Sequence, residues 1–166
     1  MTTDFDAISD VLRKAFQVEV DGFTFYSMAL ERATKPAVQK LFERLARDET
    51  EHKAYIMNVM KRYEEHGAGS FQFDPRDPDL AEFSSEIFTD NFKEQAQGEV
   101  SELGALSIGL QLESNATTFF DTAAGESSDP QISGFYRFLA DWEGLHLRTL
   151  QQLYDSIRVD PWPEKD

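Results

Sequence analysis

The chain has 166 residues, a formal net charge of −15 at pH 7 and no cysteine. This excludes disulfides, thiolate zinc sites, iron–sulfur clusters and cysteine nucleophiles, and the acidic balance argues against nucleic-acid binding while favouring the attraction of cations. The length predicts one domain over residues 1–166, and because neither a signal segment nor a membrane-length apolar run is visible, we expect a cytoplasmic protein with no membrane partner.

The first two predicted helices form a hairpin. From Phe5 to Ala33 apolar residues recur every three or four positions, which predicts a long amphipathic helix. Pro36 separates it from the second helix, because proline disfavours helix in the residue before it and suits the first turn of the next helix. The second helix is predicted to end in the glycine-rich stretch after His66.

Residues 66–100 are predicted to form a long crossover connection, with a short helix capped by Ser84 or Ser85. Such a connection is needed when the second and third helices of a bundle run parallel. The third helix is predicted from Ser101 to Ala124, and the fourth runs from Pro130 to Ile157.

The two hairpins repeat one pattern at a constant offset of ninety-four residues. Pro36 is equivalent to Pro130, and Leu45 is equivalent to Leu139. Matching prolines between helices indicate two copies of one helical hairpin, packed about a pseudo-two-fold axis. We therefore predict an all-α four-helix bundle built from two repeated hairpins.

Six polar residues occupy seam positions that are otherwise apolar: Glu19, Glu49, His52, Glu113, Glu143 and His146. In each hairpin a lone Glu is followed thirty residues later by Glu-x-x-His, whose carboxylate and imidazole share one helix face. Four carboxylates meeting in a bundle repel one another unless protons or cations intervene. The alternative for each residue alone is a specificity device or a misassigned surface residue, but six coincident positions favour a two-metal site.

The composition of this candidate site narrows the metal and the ligand roles. Carboxylate-rich sites with one imidazole per metal suit iron or manganese, and zinc less specifically. His52 and His146 are expected to be terminal ligands, one per metal, and Glu49 and Glu143 are placed to bridge, which leaves Glu19 and Glu113 as the other terminal ligands. Open positions between the metals would admit oxygen or peroxide.

The ligand pattern resembles that of the ferritin-like di-iron superfamily over residues 5–157. Residues 15–19 (AFQVE) and 110–114 (LQLES), each followed by an aromatic pair, are most similar to rubrerythrins. The resemblance implies a ferritin-like bundle with two iron ions that react with peroxide or dioxygen, often in a homodimer. Tyr26 is then expected either to hydrogen-bond near the metals, as a tyrosine does in that family, or to be an ordinary seam aromatic.

Two departures from the rubrerythrin pattern bear on the chemistry. Rubrerythrins usually carry a rubredoxin domain with a four-cysteine iron, whereas this chain has no cysteine. Reductant is therefore expected from an external electron-donor protein or from Fe(II). Rubrerythrins also carry an extra Glu one turn after the third-helix ligand, where this chain has Ala116, with Gly22 as its repeat equivalent. This favours a symmetric, ferroxidase-like centre.

Three functions are compatible with the sequence: a peroxide-reducing or ferroxidase-type oxidoreductase, an iron storage or transfer protein, and a metal-stabilised interaction bundle without turnover. The candidate hydrogen-bond partners of the imidazoles are Gln17, Gln111, Asp21 and Asn115, since ligating imidazoles usually donate their other N–H, although helical direction places most of these four off the polar seam. Trp142 is expected to fill the core or a dimer contact.

Overall fold

The computed structural model describes residues 4–67 and 100–157. Within these residues the chain forms four helices and no strand: α1 (Asp4–Arg32), α2 (Pro36–His66), α3 (Val100–Glu126) and α4 (Pro130–Ile157). The predicted all-α four-helix bundle is confirmed. None of the four helices is both long and apolar enough to cross a membrane. The short crossover helix predicted at Ser84 or Ser85 lies outside the described residues and stays a prediction.

Local sequence explains where the helices begin and end. Pro36 begins α2 after the extended backbone of Lys35, because its fixed φ suits the first turn of a helix. Gly67 ends α2 at φ +76°, a conformation that glycine adopts without steric cost, and its N–H donates to the Tyr63 carbonyl at 2.9 Å. Asp129 caps α4, since its carboxylate accepts a backbone N–H of the first turn at 2.8 Å.

Two buried clusters show in which directions the helices run. The first cluster joins the amino-terminal halves of α1 and α4 to the carboxy-terminal halves of α2 and α3, through Leu12, Ile132, Tyr63 and Ala124. The second cluster joins the opposite halves, with Leu106 of α3 among them. Consequently α1 is antiparallel to both α2 and α3, while α2 and α3 run parallel. This is the arrangement for which a long crossover is needed.

The first cluster supplies a direct test of the bundle. Phe120 of α3 is fully buried there, whereas Met57 of α2 leaves 56% of its surface exposed. Phe120→Ala is expected to lower the free energy of unfolding by about 3–5 kcal/mol, because apolar burial is lost and a cavity remains. The control Met57→Ala should change it by less than about 0.5 kcal/mol. Equilibrium urea denaturation measures both values, and equal losses would contradict the described core.

Candidate metal centre

The six predicted ligands meet halfway along the bundle, between the two buried clusters. They come from all four helices: Glu19 from α1, Glu49 and His52 from α2, Glu113 from α3, and Glu143 and His146 from α4. None of them exposes more than 6% of its surface. The seam periodicity of each helix points these polar side chains in the same direction as its core residues, which explains their burial.

The His52 half-site consists of Glu19 and His52 together with Glu49 and Glu143. The imidazole Nδ1 lies 3.0 Å from Glu19 Oε2 and 3.3 Å from Glu49 Oε2. The same Nδ1 is 3.5 Å from Glu143 Oε1. One ligand atom from each of the four residues lies within 4.8 Å of every other, which is close enough to hold a metal ion.

The His146 half-site consists of Glu113 and His146 together with the same Glu49 and Glu143. The Nδ1 of His146 lies 3.3 Å from Glu49 Oε1, 3.5 Å from Glu113 Oε1 and 3.7 Å from Glu143 Oε2. Glu49 and Glu143 therefore face each imidazole with a different oxygen. A carboxylate that offers one oxygen to each half-site is placed to bridge two metal ions.

The centre has the donor set and the unsatisfied oxygens that a pair of cations requires. Among the described residues, Glu19 Oε1 is buried without a hydrogen-bond donor, and Glu49 Oε2 and Glu143 Oε1 share the single Nδ1 of His52 at 3.3 and 3.5 Å. A buried carboxylate oxygen without a partner is costly, and metal coordination removes that cost. The four carboxylates and two imidazoles thus fit two divalent ions of the iron or manganese type.

Four of the six groups at the centre have raised pKa values. Burial raises the pKa of Glu19 and of Glu113 well above 4.5, and the charge of Glu143 adds to this effect. Burial alone would lower the pKa of His52 and His146, but the neighbouring carboxylates raise both well above 6.5. Four groups therefore hold protons more tightly in the folded protein than in the unfolded chain.

The shared carboxylates behave in the opposite way. Burial would raise the pKa of Glu49 and of Glu143, and the negative charge of Glu143 would raise the pKa of Glu49 further. Hydrogen bonds from both imidazoles outweigh burial, so the pKa of Glu49 is lowered and that of Glu143 lies well below 4.5. The shared pair is therefore the ionised part of the metal-free centre.

Tyr26 lies against the centre rather than in a plain aromatic seam. Its side chain is completely buried, and its O–H donates to Glu113 Oε1. Burial and the nearby carboxylates raise the pKa of Tyr26 well above 10, so the hydroxyl keeps its proton. Of the two alternatives drawn from the sequence, the structure favours the hydrogen-bonding one.

Asp48 contacts the centre and was missed by the sequence reasoning. It is 6% exposed, and its Oδ2 lies 3.6 Å from Nε2 of His146, the ring nitrogen remote from the shared carboxylates. Arg44 Nε donates to Asp48 Oδ1 at 3.2 Å, which fixes the carboxylate. The signal in the sequence is an acid directly before Glu49, but nothing in it indicates that this acid reaches α4.

Trp142 has a more specific position than the predicted core filling. Its ring stacks on the His52 imidazole with centroids 4.1 Å apart and planes inclined by 7°. Phe138 and Tyr55 contact the same indole at 4.5 and 5.4 Å. One face of the His52 ring is therefore covered by an aromatic cluster.

The amide and acid residues considered as imidazole partners bond to each other instead. Gln17 Nε2 donates to Asp21 Oδ1 at 2.8 Å, and Gln111 Nε2 donates to Asn115 Oδ1 at the same distance. All four side chains are exposed on α1 and α3. They are equivalent i,i+4 pairs of the two repeats, and they support the helix surface rather than the imidazoles.

A cavity of about 310 Å³ opens between α1 and α3 and reaches Glu49, Glu113 and Glu143. Ala116 and its repeat equivalent Gly22 form part of its wall. A Cβ at Gly22 would lie 3.0 Å from Glu49 Oε1. The small side chains at these two positions therefore keep the cavity open beside the shared carboxylate.

This close approach predicts an unusual result for a helix glycine. In a helix interior Gly→Ala commonly raises the free energy of unfolding by about 0.5–1 kcal/mol. We expect that gain for Gly104→Ala, because a Cβ at this position would meet no neighbouring atom within 4 Å. Gly22→Ala should not raise the free energy of unfolding and should weaken metal binding, because its methyl group would displace the Glu49 side chain. Urea denaturation and metal titration of both variants measure the difference, and identical behaviour would contradict the role of Gly22.

One comparison with known proteins gives a match. A sequence model of the Rubrerythrin family matches residues 10–154, a range that includes all six residues of the centre. No curated protein and no solved structure gives a significant match.

Proposed function

Because the chain belongs to the rubrerythrin family, we propose that it is a non-haem di-iron oxidoreductase that reduces peroxide or dioxygen. The observation that carries this proposal is the pair of overlapping half-sites that share Glu49 and Glu143. Two half-sites with shared carboxylates bring two redox metals close enough to act on one small molecule.

We assign the six residues to two ions by their proximity to one another. One iron would be held by Glu19 and His52, the other by Glu113 and His146, and both by the shared carboxylates. Four carboxylates balance two divalent charges, so the loaded centre needs no further counter-ion in the bundle interior. When bound, the two irons supply electrons and Lewis acidity for reduction of the O–O bond of peroxide or dioxygen.

The surrounding protein controls access to the centre. The buried clusters above and below it exclude water along the bundle axis. The cavity beside Gly22 and Ala116 leads to the shared carboxylates and has room for a molecule as small as peroxide. Peroxide or dioxygen would therefore approach from the α1–α3 side of the centre.

Tyr26 would hold a proton at the edge of the centre. Its hydroxyl donates to Glu113 and stays protonated because burial raises its pKa. This hydrogen bond would orient the Glu113 carboxylate, whose Oε1 also faces Nδ1 of His146. The electrons would come from Fe(II) or from an external donor protein, since these 166 residues contain no cysteine to hold a rubredoxin-type iron.

Addition of Fe(II) to metal-free protein in air tests the proposal. The expected result is a near-ultraviolet ferric absorption that saturates at about two irons per chain, together with consumption of added peroxide. Glu51→Gln, which changes an exposed acid on α2, is the matched control and should behave as wild type. Uptake of many irons per chain would instead indicate storage, and failure to bind iron would refute the metal centre.

A further inference from the structure

The two half-sites have equivalent ligands, but the residues behind them differ. At the offset of ninety-four residues, Arg44 of α2 corresponds to Phe138 of α4, and Asp48 corresponds to Trp142. The first hairpin thus carries a polar pair at positions where the second carries an aromatic pair. Since the ligands themselves repeat without exception, this is a local break in the symmetry of the centre.

Each pair lies behind the imidazole of the other hairpin. Arg44 holds Asp48 by the 3.2 Å hydrogen bond, and Asp48 faces Nε2 of His146 at 3.6 Å, on the side of the ring away from the shared carboxylates. A carboxylate that accepts this N–H makes a ligating imidazole a stronger ligand and fixes its orientation, and a shortening of the 3.6 Å distance by a few tenths of an ångström would form that hydrogen bond. Arg44 forms an ion pair with the other oxygen of Asp48 and offsets part of its negative charge, but Arg44 is 34% exposed, whereas the oxygen that faces His146 is buried and less screened by water.

The other imidazole has an uncharged neighbour. Trp142 stacks on His52 at 4.1 Å, and Phe138 packs against the indole at 4.5 Å. The aromatic face positions the ring and removes water from it, but it brings no negative charge toward a cation. Within residues 4–67 and 100–157, the His52 half-site therefore has no counterpart of Asp48 behind its imidazole.

A third repeat pair differs in the same direction. Tyr26 donates a hydrogen bond to Glu113 of the His146 half-site, while its repeat equivalent is Phe120, which has no hydroxyl. A hydrogen bond from a neutral donor favours the ionised, ligating form of the carboxylate. All three departures from symmetry thus place the polar residue beside the His146 half-site.

We propose that the two half-sites bind metal with unequal affinity, so that the His146 half-site fills first and the His52 half-site fills second. Asp48 is the positioning residue that sets this order. The inference rests on the proposed metal centre. Its consequence is that one ion stays bound while the other, on the aromatic side, exchanges more readily with the medium.

Variants that retain one half-site each provide the test. Glu19→Gln leaves the His146 half-site complete, and Glu113→Gln leaves the His52 half-site complete. In calorimetric titration, Co²⁺ should bind to the Glu19→Gln protein at least about tenfold more tightly than to the Glu113→Gln protein. Adding Asp48→Asn should weaken that binding by about tenfold to a hundredfold, while it should change binding to the Glu113→Gln protein by less than about twofold.

The control Asp141→Asn removes an exposed charge beside Trp142 and should leave both affinities unchanged. Equal affinities of the two half-sites, or equal losses in both on Asp48→Asn, would overturn the inference while the metal centre stands. Absence of Co²⁺ binding to the wild-type protein would overturn the proposed function as well. The free energy of unfolding of Asp48→Asn is measured beside it, because a general loss of folding would weaken both half-sites alike.

Discussion

Glu49→Gln is expected to abolish tight binding of both metal ions, whereas Glu19→Gln should remove only one. Glu49 offers Oε2 to the His52 imidazole and Oε1 to the His146 imidazole, so its charge serves both half-sites. The Gln side chain keeps the volume but removes the charge and half of the oxygen donors. The affinity of each half-site should therefore fall by more than about a hundredfold, beyond what the loss of a supporting residue causes.

The measurement is the number of metal ions bound per chain at a fixed free concentration, by elemental analysis after equilibrium dialysis. Glu51→Gln is the matched control, because it removes a carboxylate two residues away on the exposed face of α2. If Glu49→Gln still bound two ions, the sharing of Glu49 would be refuted. If Glu19→Gln lost both ions, the two half-sites would not be separable.

The metal-free protein is expected to lose stability as the pH rises, and metal binding should strengthen over the same range. The pKa values of His52 and His146 in the folded protein are raised above 6.5, so their contribution is complete below that pH and is lost as the pH rises through the folded values. Glu19 and Glu113, raised above 4.5, act with the same sign. Each group lowers the free energy of unfolding by about 1.4 kcal/mol per pH unit while it is protonated only in the folded state.

Metal ions displace these same protons. Binding should therefore release protons, and the overall affinity should rise by about tenfold per pH unit for each proton displaced. Urea denaturation of metal-free and loaded protein between about pH 6.5 and 8.5 measures the first effect. Calorimetry in buffers of different ionisation enthalpy measures the second. A metal-free protein whose stability rises across this range would contradict the raised pKa values.

At acid pH the stability is expected to change in the opposite direction, and different residues cause the change. The pKa values of Glu49 and Glu143 are lowered, so their contribution is present above 4.5 and is lost as the pH falls through the folded values. Below pH 4.5 the contribution of the other four groups is already complete, so the loss of stability there comes from the shared carboxylates. This separation of sign follows from the geometry, because only the shared pair faces both imidazoles.

The helices and the polar seam followed from the sequence because they depend on local periodicity. The 3.6-residue repeat of an α-helix places Glu49 and His52 on one face wherever the helix packs. The prolines at 36 and 130 mark helix starts through their own backbone geometry. The constant offset between hairpins then required Glu19 and Glu113 to occupy equivalent places, and both are buried at the centre.

Only the tertiary structure decided which groups support that centre. Asp48 acts on α4 from α2, Trp142 covers a ring of α2 from α4, and Tyr26 reaches Glu113 across eighty-seven positions of the chain. These contacts depend on how one hairpin is rotated and shifted against the other, which no short-range spacing encodes. The sequence by itself determined a duplicated set of six Glu and His residues at one level of the bundle, and the packing of the two copies gave its halves different neighbours.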